Sequence, residues 1–85
     1  MNVVIVRKRY VVVDDRNRIF CGLARHYNFK PIDDVGDTAI KTYLSERKAK
    51  SSFLSSWWDS KEEDFETGKY KVVEVLESIK ELKEG

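Results

Sequence analysis

Apolar residues crowd the amino end of the chain. Seven of the eleven residues from Val3 to Val13 are Val or Ile, interrupted only by Arg7-Lys8-Arg9 and Tyr10. Branching at Cβ restricts χ1 and favours a pleated strand over a helix. Alternation puts Val4, Val6, Lys8, Tyr10 and Val12 on one face and Val3, Ile5, Arg7, Arg9, Val11 and Val13 on the other. No Gly, Pro or Asn breaks the run at the basic triplet, so the pattern predicts one long strand, with the triplet separating two aggregation-prone apolar stretches. Asp14-Asp15-Arg16-Asn17 is turn chemistry, because short carboxylate and amide side chains bond nearby backbone amides and Asn tolerates a left-handed backbone. Arg18 to Leu23 alternates again, with Ile19, Cys21 and Leu23 on one face, which predicts an N-terminal hairpin.

Regular patterning fades from Arg25 to Asp37, where Asn28, Pro31, Asp33-Asp34 and Gly36-Asp37 read as loop, with Tyr27, Phe29 and Ile32 as candidates to pin it to a core. A further short β segment is expected over Thr38–Leu44, ending at the N-cap candidate Ser45. Ala49, Phe53 and Trp57 then recur every four residues, predicting an amphipathic helix over about 46–58. Its serines weaken its intrinsic propensity, so packing of the aromatics must hold it. Residues 59–68 are acidic and read as a solvated connection with Phe65 as an anchor, and Ser60 and Glu63 stand at capping-box spacing for a single helical turn. The last segment fits two templates. Tyr70, Val72, Glu74 and Leu76 alternate as a strand would, whereas Val72, Val75, Leu76, Ile79 and Leu82 form a helical stripe. The β-branched first half predicts a strand over about 70–77, and the helix formers from Glu77 to Glu84 leave room for a short helix behind it.

These elements define the expected fold class: a single α+β domain over 1–85, with a small, mainly antiparallel sheet of about four strands and one helix packed on one face. Eighty-five residues hold one small core and no separate catalytic module. One helix shields one sheet face, so the other face is expected to be polar or to meet a partner. The apolar runs at the amino end are too short for a membrane span, and no positively charged segment precedes them as in a secretory signal. A cytoplasmic protein with a free thiol and no membrane partner is the expectation.

The formal net charge of +1 conceals a gradient. Residues 1–50 hold eleven Lys/Arg and six Asp/Glu, whereas residues 51–85 hold five and nine. Arg7, Lys8, Arg9, Arg16 and Arg18 gather in the expected hairpin and are the candidate nucleic-acid contacts, since exposed cations there would neutralise phosphates. The competing reading pairs them with the acidic C-terminal half, and matched totals favour that pairing.

Catalytic chemistry finds little support. Cys21 is the one thiol and His26 the one imidazole, and a thiol nucleophile needs a base within hydrogen-bonding reach and a group to orient it. A lone cysteine excludes an intramolecular disulfide and multi-cysteine zinc sites. Asp33, Asp34 and Asp37 lack the ligand spacing of a calcium loop, and the isolated glycines form no phosphate-binding loop. No catalytic, metal or cofactor residue is assigned. Trp57-Trp58 is the most unusual pair: adjacent helical positions point about 100° apart, so one ring packs inward while the other covers the edge or is exposed. Both are candidate interface residues, since an exposed Trp anchors interfaces well.

Three stretches carry a resemblance: Arg9-Tyr10-Val11-Val12-Val13 leading to Arg18-Ile19-Phe20, then Ala39 to Lys50 with its aromatic, Ser cap and basic helix start, and finally Tyr70-Lys71-Val72-Val73-Glu74-Val75. In this layout the chain resembles the small uncharacterised α+β proteins encoded by phages and prophages of Gram-positive bacteria. The resemblance implies a strand hairpin, a third strand running into a helix, and a closing strand, and no catalytic residue comes with it. The absent catalytic groups, the tryptophan pair and the sheet face with too little cover lead to the expected function, a non-enzymatic accessory protein that binds another protein or its own copy, with nucleic-acid binding through the basic hairpin as the alternative.

Overall fold

A computed structural model describes residues 2–23, 27–36 and 40–82. Strand β1 runs unbroken from Asn2 to Asp14, followed by β2 (Arg18–Phe20), β3 (Phe29–Pro31), helix α1 (Glu46–Ser56), the short helix α2 (Glu63–Thr67) and β4 (Tyr70–Leu82). The sheet is antiparallel throughout, in the order β3-β2-β1-β4. The result is the small α+β fold expected from the sequence, with a different third strand.

The hairpin forms for the expected reason. The Asp14 carboxylate accepts hydrogen bonds from the backbone amides of Arg16 (3.0 Å) and Arg18 (2.8 Å), and Asn17 takes the left-handed backbone at φ 61°. Residues 29–31 were expected to be loop but form β3, with Phe29 opposite Phe20 and Pro31 opposite Arg18. Pro31 is tolerated because β3 is an edge strand, where a missing N–H leaves no ladder bond unmade. The strand expected over 38–44 is not formed by the described residues 40–44; Thr38 and Ala39 lie outside them. Its place is taken by a single bridge, in which Tyr10 and Tyr43 exchange both main-chain bonds at 2.9 and 2.8 Å.

Ser45 caps α1, its Oγ accepting from the Lys48 amide at 3.1 Å. The helix ends two residues short of the expected 58, at the extended backbone of Trp57. Helix α2 does not use the expected capping box. Ser60 Oγ donates instead to the Trp57 carbonyl (2.6 Å), and Asp64 accepts from the Lys61 amide (2.9 Å). Gly68 closes the turn at φ 89°, a backbone region that favours glycine. Among the described residues no helix lies behind residue 77: β4 continues to Leu82 because it pairs with β1 along its whole length, from Asp14↔Tyr70 to Asn2↔Leu82. Tertiary pairing overrides the helix propensity of its second half.

Side-chain alternation gives each face of the sheet its own core. On the helix face, Val12, Phe20, Tyr43, Ala49, Phe53 and Tyr70 are buried together. Phe53 meets Phe20 edge-on at 5.0 Å and Tyr70 at 4.8 Å. The opposite face was expected to be polar or partnered, but it buries Val11, Val13, Ile19 and Cys21, with Val35 and Ile40 from the connecting segments packed on them.

Candidate interaction surfaces

The β1–β4 ladder extends well beyond both cores. Thirteen extended residues span about 44 Å, whereas the eleven residues of α1 cover about 16 Å. Strand β2 pairs with β1 only near Val13, and Tyr43 meets it at Tyr10. Residues 2–9 and 75–82 therefore form a two-stranded ribbon projecting from the domain, consistent with overall dimensions of 51 × 25 × 21 Å. Apolar side chains stand uncovered on it: Ile5 is 46%, Val6 56% and Leu76 69% exposed.

Main-chain geometry shows which edges are open. In an antiparallel ladder, successive residues point their N–H and C=O alternately toward and away from the neighbour. Tyr10 aims both groups at Tyr43, so Lys8, Val6 and Val4 aim theirs to the same side, away from β4. Tyr10 stands opposite Glu74, so Glu74 and the other even-numbered residues of β4 aim theirs away from β1. Among the described residues no strand pairs with that outer edge of β4.

The basic triplet lies on the ribbon, beside carboxylates of the opposite strand. Arg7 donates to Glu77 at 3.1 Å, Arg9 lies 3.5 Å from the same carboxylate, and Lys8 lies 3.5 Å from Glu74. The Nε of Arg9 is buried and, despite that ion pair, makes no hydrogen bond. Glu74 and Glu77 belong to the acidic C-terminal half. These cations thus pair across the strands and do not form a single-sign patch.

Arg16 and Arg18 sit elsewhere, at the turn end, in a cleft of about 300 Å³ shared with Asp14, Asp15, Trp57 and Asp59. Arg18 is committed to Asp14 at 2.7 Å and lies over the Phe29 ring at 5.6 Å, whereas Arg16 is exposed. Trp57 packs inward as half of the tryptophan pair. Its ring lies 5.2 Å from Phe29, and its Nε1 donates to the Tyr70 hydroxyl (3.2 Å), which in turn donates to the Asp59 carbonyl (3.3 Å). Trp58 is 82% exposed, its ring 5.8 Å from that of Trp57. The structure therefore joins Arg16, Arg18 and Trp57 in one cleft and leaves Arg7, Lys8 and Arg9 out of it.

The thiol of Cys21 is buried and donates to the Ile19 carbonyl at 3.6 Å. His26 lies outside the described residues, as does Asp37. Asp33 and Asp34 form a single 3-10 turn (Ile32–Asp34). Among the described residues no group of three or more His, Cys, Asp or Glu could hold a metal ion, and no helix is long and apolar enough to cross a membrane. Burial pushes the Tyr43 hydroxyl above its ordinary value.

The exposed ribbon was not foreseen from sequence. Its one signal was the mismatch between the eleven-residue strand pattern of Val3–Val13 and a helix too short to cover it. No protein-family model, curated protein or solved structure matches the chain.

Proposed function

We propose that this chain is a non-enzymatic accessory protein, of the kind phages and prophages encode, that acts by binding protein through the outer half of its β1–β4 ribbon. One observation carries the reading: Ile5, Val6 and Leu76 are uncovered on a ribbon whose outer edges lack partner strands among the described residues. A two-stranded ribbon is marginal alone in water, and uncovered apolar edge strands are ready templates for pairing with another chain. Trp58, beside the cleft at the far end of the ladder, adds a second apolar contact. The ion pairs of Arg7, Lys8 and Arg9 weigh against nucleic acid, because phosphates would have to displace Glu74 and Glu77. The phage setting rests on the likeness of layout, and the stretch from Ala39 to Lys50 enters its helix from a bridge where that layout has a strand.

The test compares the wild-type chain with a Val6→Lys, Leu76→Lys variant. Wild type is expected to bind protein, whether a second copy or a chain captured from cell extract, and the variant to lose that binding while keeping its circular dichroism spectrum. Equal binding by both would overturn the reading. In parallel, single-stranded and duplex nucleic acids are titrated at two salt concentrations. Salt-sensitive binding abolished by Arg7→Glu with Arg9→Glu would replace protein binding with nucleic-acid binding.

A further inference from the structure

We infer that the occupant of the open β4 edge is the β4 strand of a second copy, paired antiparallel about a two-fold axis at Leu76. This rests on the proposal that the outer ribbon binds protein, and it names the partner. The even-numbered residues of β4 aim their main-chain groups outward, so two such edges can join into a continuous sheet through about a dozen main-chain hydrogen bonds.

The residue types along β4 select the register. An axis at Glu74 or at Glu77 sets that carboxylate against its own copy, and like charges directly opposite are destabilising. An axis at Val75 or Ser78 leaves no opposite charges face to face. An axis at Leu76 differs on every count. Leu76 is the midpoint of Tyr70–Leu82, so the whole strand overlaps its copy. Leu76 then faces Leu76, Val73 faces Ile79, and Lys71 faces Glu81 on both sides of the axis, with no like charges opposed. Leu76 is also more exposed than Ile5 or Val6 on the same ribbon. On the opposite face from α1, Lys71, Val73 and Val75 line an apolar groove of about 310 Å³ together with Val11, Val13 and Ile19. The same register brings position 79 of the second copy beside Val73, at the rim of that groove.

Closed two-fold pairing uses the same patch on both copies, so it ends at a dimer. It also removes the thirteen-residue outer edge of β4, which would otherwise template open-ended association.

Sedimentation of the whole chain over a concentration series, with cysteine scanning, tests the inference. The wild type should be a concentration-dependent dimer. Leu76→Lys, a change at a solvent-exposed side chain, should weaken dimerisation at least about tenfold with the fold intact. Facing residues of a hydrogen-bonded antiparallel pair have Cα atoms about 5.5 Å apart, within disulfide reach. Leu76→Cys should therefore cross-link to its own copy under mild oxidation. Glu74→Cys should not, because its copy would lie about 14 Å away along the strand. The native thiol, Cys21, is buried, so the wild type supplies the blank. A dimer that cross-links through Val6→Cys or Glu74→Cys and not through Leu76→Cys would overturn this register. A wild-type chain that stays monomeric to about millimolar concentration would overturn the second copy as occupant. In that case, capture of another protein by the wild type and not by the Val6→Lys, Leu76→Lys variant would leave the protein-binding reading standing, and equal capture would overturn both.

Discussion

The two halves of the β1–β4 ladder share one register and one alphabet of residues, yet they occupy different physical environments. In the inner half, Val11, Val12 and Val13 are fully buried opposite Val73, Val72 and Lys71. In the outer half, Ile5 and Val6 face Ile79 and Ser78 with about half their surface in water. The difference lies in the neighbours. Helix α1, β2 and the 40–44 segment all reach the inner half and stop near Tyr10. Residue type makes both halves strands, but only the length of the covering elements decides which half becomes core. Charges follow the same division. The buried Asp14 is held by three hydrogen bonds, from two backbone amides and from Arg18 Nε (2.7 Å), whereas Arg7, Lys8 and Glu74 form ion pairs in water.

Removing one apolar side chain from each half should have very unequal effects. Phe53→Ala should cost about 3–5 kcal/mol in urea unfolding, because it empties the centre of the aromatic cluster. Val6→Ala should cost less than about 0.5 kcal/mol in the monomer, as an exposed position. A comparable loss at Val6 would mean that the ribbon is packed in the monomer. Next in size is Asp14→Ala, expected to cost about 3 kcal/mol, since it strips the turn amides and Arg18 of their charged acceptor.

The inner half should also respond to alkali. The Tyr43 hydroxyl is raised above 10.0 by burial, so the folded chain holds its proton at pH values where the unfolded chain releases it. Its contribution to stability is complete below pH 10 and is lost as pH rises through the raised folded-state value. Tyr43→Phe should remove that part of the alkaline decline in urea midpoints. Smallest of all is Arg7→Ala, within about 1 kcal/mol and fading in about 1 M salt, because its pair with Glu77 is solvent-screened.

Features governed by neighbours in sequence were legible. The β-branched run of β1, the Asp14–Asn17 turn, the Ser45 cap and the Ala49–Phe53–Trp57 stripe each rest on residues a few positions apart. What escaped rests on pairing across distance. Phe29 joins a strand because Phe20 is there to receive it, against the punctuation of Asn28 and Pro31. Glu77 to Leu82 become strand because Asn2 to Arg7 lie opposite, against their helix propensity. The candidate surfaces divide in the same way. Helical spacing predicts that one tryptophan turns inward, and Trp57 does so, but from the extended residue just past α1; the placement of Arg7, Lys8 and Arg9 beside Glu74 and Glu77 depends on a register that residue types alone do not set.

Hydrogen exchange of the β4 amides at low and high protein concentration tests the open edge most directly. Val73, Val75 and Glu77 should exchange slowly under both conditions, since their amides face β1. Val72, Glu74 and Leu76 should exchange fast in dilute solution and slow down as the protein is concentrated and a second strand takes those amides. Protection at Val72, Glu74 and Leu76 that is already present in dilute solution, or that never changes with concentration, would contradict an edge open in the monomer and closed by a second copy.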